Sequence, residues 1–170
     1  MKKQYKIVIV ITIVVIILVT AIKVFNVKQI ILQKIYPKKY EEYVEKYAKE
    51  VNIDPLLIYS IIKAESNFKE KAKSSSGAQG LMQLMEATAT EIANILIGTT
   101  YYSELLKIFD ENMILAVTAY NAGIGTVNQW IESGTIKKDG SDIENIPYKE
   151  TNMYVRKIIN NYKMYQYIYE

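Results

Sequence analysis

Histidine and cysteine are both missing from the 170 residues. Their absence excludes Ser-His-Asp and Cys-His nucleophilic sites, zinc centres built from those ligands, and thiol redox chemistry. Any proton transfer must come from carboxylates, lysine, tyrosine or water. The lack of cysteine also suits a compartment outside the cytosol. Proline is scarce, and each of its three copies, Pro37, Pro55 and Pro147, sits at an element boundary. There is no internal repeat, no low-complexity tract and no convincing strand pattern. The net charge of +3 is small and its lysines are scattered, which gives no argument for nucleic acid.

One apolar run stands apart. Ile7 to Ile22 carries two threonines and no charge. Its length is roughly 24 Å as a helix, just short of a bilayer core of about 30 Å. Adding Val24 and Phe25, with Lys23 snorkelling to the interface, brings residues 7–25 into the spanning range. Lys2, Lys3 and Lys6 precede the run, so its start is expected inside and the rest exported. A cleaved signal peptide would need a small-residue site, and Thr20-Ala21-Ile22-Lys23 is a poor one. A buried core helix would show a polar stripe, and none is present. The reading is an uncleaved single-pass anchor with the start of a stalk in residues 1–28. An extracytoplasmic domain then fills residues 29–170.

That domain reads as all-α. Residues 23–36 form a lead-in closed by Pro37. Tyr40, Tyr43, Val44, Tyr47 and Val51 follow three-and-four spacing. Asp54 and Pro55 supply an N-cap and first-turn proline for a helix to about Glu65. Ser74 to Gly80 is a loop rich in turn residues. Helices are predicted from about Leu81, from Thr99 to Ile108, from Glu111 to Tyr120, and from Glu150 to about Tyr167. Gly123 and Gly125 break the chain before a turn through Val127 to Ile131, and Asp139-Gly140 marks a turn in the polar stretch 133–145.

Glu65 ends the apolar stretch Leu56 to Ala64. A general acid working near neutral pH needs a carboxyl kept protonated. The apolar wall and the negative end of the helix dipole both favour the neutral form. Taken alone, such a glutamate is equally a solvated end to an amphipathic helix. Downstream, Gly80-Leu81-Met82-Gln83 combines glycine, which permits close backbone approach, with an amide able to hold a sugar group. Tyr120-Asn121-Ala122-Gly123 follows at a helix end, where the glycine alone would suggest a C-cap.

In this order the motifs resemble the soluble lytic transglycosylase family, lysozyme-like enzymes acting on bacterial peptidoglycan. The resemblance covers nearly all of residues 38–170 and continues through Ile146-Pro147-Tyr148-Lys149-Glu150-Thr151 and Tyr154-Val155. It implies a lysozyme-like fold with a glycan groove and one catalytic carboxylate, Glu65. Glu65 would protonate the oxygen between N-acetylmuramic acid and N-acetylglucosamine, then take the muramyl 6-hydroxyl proton, leaving a 1,6-anhydro end. No partner acid for a two-carboxylate mechanism is evident beside Glu65, which suits assistance by the 2-acetamido group. Ser74, Gln83, Met85, Tyr120, Asn121 and Glu150 become groove residues, with Tyr120 placed to steady the Glu65 proton. Glu150 also has a sufficient structural reason at a helix start. The implied partners are glycan strands and, through residues 7–25, the membrane; no cofactor or metal is implied.

The sequence departs from the family pattern at Glu86, where proline is common, and between Ala93 and Asn94, where relatives carry an insertion. The two helices there are expected to fuse or turn tightly, cutting down one groove wall. A hydrolytic muramidase on the same fold and a catalytically silent wall-binding module are the alternative readings. With no metal-ligand set in the sequence, glycan cleavage is expected to persist in EDTA. Loss of activity restored by a divalent ion would sink that expectation.

Overall fold

The Asp54-Pro55 pair starts a helix that is buried along nearly its whole length. In the computed structural model, which describes residues 2–85 and 90–170, Asp54 Oδ1 accepts from the Leu56 amide at 2.8 Å. Pro55 occupies the first turn, where no amide is required. This helix is numbered α3 (Pro55–Glu65), after α1 (Lys2–Ile35) and α2 (Glu41–Glu50). Leu56 through Ile62 and Ala64 are all buried. A helix apolar on every side belongs at the centre of a bundle.

Four more α-helices, α4 (Glu91–Ile108), α5 (Met113–Ala122), α6 (Ile124–Glu132) and α7 (Lys149–Tyr169), and a short 3-10 helix at Ile143–Asn145 complete the described chain. α7 lies along α3, and α2 packs on both α3 and α4. α5 touches α4, α6 and α7. Two isolated bridges, Lys73 with Gln79 and Gln79 with Leu84, are the extended pairings among the described residues. The expected all-α class holds.

Two compact units divide the chain, residues 1–37 and 38–170. The first is α1, whose stretch Ile11–Ile35 has a mean hydropathy of 2.2 and is long and apolar enough to cross a membrane. The second contains the core.

Three predicted helix starts, at Leu81, Thr99 and Glu111, are corrected by the structure, and α4 already begins at Glu91. Residues 81–85 form turns, not the first turn of a helix. Gln79 and Leu84 exchange backbone bonds of 2.8 and 3.0 Å across this segment. Asn94, buried on α4, accepts from the Met82 amide at 2.7 Å and donates to the Gln79 carbonyl at 3.1 Å. Tertiary bonds to a buried polar side chain override a local helical pattern. Likewise α5 starts at Met113, not Glu111. Asp110 and Glu111 sit at φ 51° and 61°, left-handed values that no α-helix continues, and Asn112 caps the helix.

Across the Ala93–Asn94 junction the chain is one helix, α4, with no second helix among the described residues just before it. Thr90 Oγ1 accepts from the Ala93 amide at 3.1 Å and caps it. Glu86, the other departure, lies outside the described residues.

Two glycines make the close packing of this region possible. Gly80 has φ +81°, and a Cβ there would stand 2.5 Å from Asn94 Nδ2. At Gly98 on α4 a Cβ would meet Met82 Sδ at 2.5 Å and Met82 Cβ at 2.8 Å. Asn94→Ala strands the Met82 amide in the interior and should cost about 2 kcal/mol. A melting temperature lowered by about 5 °C is the expected reading. It can be followed through the fluorescence of the single tryptophan, Trp130; an unchanged value would deny Asn94 this role.

Candidate active site

A helix leaves its last four carbonyls without intrahelical donors. At the end of α3 the Ile62 carbonyl takes the Ser66 amide at 3.0 Å and the Ser66 hydroxyl at 3.2 Å. The Lys63 carbonyl takes the Asn67 amide at 3.2 Å. The Ala64 carbonyl takes the ammonium of Lys157, from α7, at 2.5 Å. The chain then turns away through Asn67 and Phe68 at φ 49° and 61°.

Glu65 is the last residue of α3, and its side chain is mostly buried with part of its surface open. Its Oε1 accepts from the Tyr154 phenol at 2.5 Å. Burial pushes the carboxyl up to about 7, against the Tyr154 hydrogen bond and the Lys157 ammonium, which both pull it down. The apolar wall anticipated from the sequence is thus the dominant cause. The negative helix end is answered by a lysine that sequence reasoning did not place.

Among the described residues no carboxylate is among the groups that act on Glu65. Among the described residues no three acidic side chains gather where a metal ion would sit. A carboxyl balanced near neutrality, partly open to solvent, can release a proton and take one back.

The phenol bonded to Glu65 is Tyr154 rather than Tyr120. Tyr120 donates to the Met82 carbonyl at 2.9 Å, while Glu65 stands near enough for its charge to help push the Tyr120 phenol up, after burial. Tyr154 belongs to the quoted segment Tyr154-Val155, but nothing local tied it to a residue 89 positions away.

The other candidate residues fall into two groups. Ser74 and Gln83 belong to the loop between α3 and α4. The Ser74 hydroxyl accepts from the Ala78 amide at 3.0 Å, closing its own turn. Gln83, at φ 48°, donates its amide to the carbonyls of Ala72 at 3.2 Å and Gly80 at 2.9 Å. Its nitrogen therefore holds the loop. Met85, at the end of that loop, is 68% exposed.

Across from the loop, the Asn121 carboxamide oxygen accepts from Thr151 on α7 at 2.7 Å. Glu150, next to Thr151, is exposed in the first turn of α7. A cavity of about 250 Å³ lies beside the loop, lined by Glu70, Lys71, Gln79, Gly80 and Asn94, and does not include Glu65.

The transglycosylase SLT domain, as a family model, matches residues 42–143, more than half of the chain. The chain belongs to this family. Among relatives of this SLT domain, the soluble lytic murein transglycosylase of Salmonella typhimurium is 32% identical over 148 residues. That match covers 75% of this chain and 23% of the relative. The soluble lytic murein transglycosylase of Escherichia coli K12 is 31% identical over 156 residues, covering 80% and 24%.

Among solved structures, an inactive glutamate-to-glutamine mutant of lytic transglycosylase Slt from Pseudomonas aeruginosa matches with TM-score 0.70 and 30% identity. A 70-kDa soluble lytic transglycosylase in complex with bulgecin A matches with TM-score 0.73 and 29% identity. Each covers 80% of this chain and 25% of the other. The SLT domain chain thus spans about a quarter of the length of these relatives. They carry the expected lysozyme-like fold.

A carboxyl raised on folding binds more protons folded than unfolded, so its contribution to stability falls as pH rises from the unfolded value, 4.5, to about 7. Glu65→Gln removes that term. The variant should match the parent near pH 4 and melt higher above pH 7, as thermal unfolding across this range would read. A variant less stable than the parent at pH 8 would mean that Glu65 serves packing.

Proposed function

We propose that this SLT domain is a peptidoglycan lytic transglycosylase with Glu65 as its single acid and base. The observation that carries this reading is the Glu65 carboxyl, held near 7 by burial and bonded to Tyr154, with no second carboxylate among the described residues acting on it. As the neutral acid it donates its proton to the glycosidic oxygen between N-acetylmuramic acid and N-acetylglucosamine. The bond from that oxygen to the muramyl C1 breaks, and the leaving sugar departs with a new hydroxyl. The carboxylate then takes the proton from the muramyl 6-hydroxyl as O6 closes on C1. Water is neither needed nor consumed, and Glu65 ends protonated.

The two groups of side chains form the sides of the proposed glycan groove. Ser74, Gln83 and Met85 stand on the loop side, with the Gln83 amide oxygen offered to a sugar. Tyr120, Asn121 and Glu150 stand on the other. Family membership supports peptidoglycan as the substrate.

In the same reading, residues 1–28 hold an uncleaved membrane anchor and the start of a stalk, and 29–170 the catalytic part. The lysines before the apolar run favour a cytoplasmic start and an extracytoplasmic catalytic side. A match to membrane-bound lytic murein transglycosylase F of Desulfosudis oleivorans, 32% identical over 112 residues, is in keeping with a tethered enzyme.

Mass spectrometry of purified peptidoglycan treated with the detergent-solubilised protein should find 1,6-anhydromuramyl ends, lost in Glu65→Gln. Reducing ends in their place would make the reaction hydrolysis by the same acid. A folded protein that releases nothing would point to a silent wall-binding module.

A further inference from the structure

α7 meets the end of α3 twice within one helical turn. Tyr154 bonds the Glu65 carboxyl, and Lys157, three residues on and therefore on the same face, bonds the neighbouring Ala64 carbonyl. A cation at a helix C-terminus is favourable because it meets unsatisfied carbonyls and the negative end of the dipole. Ordinarily that cation comes from the helix's own last turn. Here it comes from another helix and stands beside the proposed acid.

We propose that Lys157 is a positioning residue: by capping the Ala64 carbonyl it keeps Glu65 against Tyr154 and sets the pH range over which Glu65 exchanges its proton. The inference rests on the acid–base role given to Glu65 above. That role makes two opposed demands. Bond cleavage needs the neutral acid, and closure of the anhydro ring needs the carboxylate. Burial favours the first form only. The Lys157 ammonium and the Tyr154 hydrogen bond favour the second and hold the two close in energy.

Among the described residues the remaining surroundings of Glu65 supply no equivalent charge. From α5, the Tyr120 phenol faces it and stays protonated. From α2, on another flank of α3, Glu45 and Glu41 act on Tyr59. On its own helix Lys63 is held down by burial and by Lys157. Lys157 is thus the cation that acts on Glu65.

The test is a carbon-13 NMR titration of the Glu65 carboxyl in the full chain in micelles, alongside the pH profile of kcat/KM. Lys157→Met keeps the length of the side chain and removes its charge. In it the titration and the alkaline limb of the profile should both move up by about half a pH unit, giving about threefold more turnover above the limb. Lys157→Arg should restore both.

A Glu65 titration that stays in place in Lys157→Met would overturn the proposal, even if the melting temperature fell, because a purely structural cap predicts that pattern. Because the titration is read without substrate, it stands apart from the reaction. Absence of turnover in the parent protein would instead overturn the transglycosylase reading on which the proposal rests.

Discussion

The contact on which this domain depends is the antiparallel seam between α3 and α7. Its polar bonds run in order along both helices. Tyr162 donates to Asp54 Oδ2 at 2.5 Å, Asn161 to the Ser60 carbonyl at 3.3 Å, Lys157 to Ala64 and Tyr154 to Glu65. Between them the apolar faces close, with the rings of Tyr59 and Tyr165 stacked 5.7 Å apart. The seam therefore fixes the N-cap of α3 at one end and the Glu65 carboxyl at the other. A carboxyl buried without such a partner would be forced wholly neutral; the donors on α7 leave it ionisable.

The other side of the site depends on Asn94 in the same way. One side chain on α4 grips the loop at both Gln79 and Met82, and Tyr120 grips Met82 again through its carbonyl. Met82 side-chain packing against Gly98 completes the attachment. The helix that begins at Glu91 thus supplies its own buried anchor for the loop. The departure from the family pattern between Ala93 and Asn94 falls at this anchor.

Much of the helical frame was legible because it is written locally. Asp54-Pro55 announced the start of α3, and its largely apolar stretch ran to Glu65, where the helix ends. The α7 pattern placed its start within a residue. What failed was whatever depends on distant partners. Leu81, Met82, Leu84 and Met85 look like a helical face, yet the first residues of that stretch are pinned as turns by Asn94. Tyr120 looked like the phenol of Glu65 because its motif is distinctive, whereas Tyr154 holds that place through a contact 89 residues long. Lys157 left no trace in the sequence at all, being one of three lysines on an amphipathic helix. Charge that tunes a buried group is set by packing geometry, which spacing along one helix does not encode.

The loop between α3 and α4 is bonded within itself and to the helices behind it before any sugar arrives. Its two bridges, the Ser74 turn and the Gln83 amide already fix the backbone from Ala72 to Leu84. A strand laid against such a surface meets a rigid template, and little chain entropy is lost on contact. Discrimination between glycans would then come from the fit of the sugars to a preset contour, with poor substrates rejected at encounter and not coaxed into place.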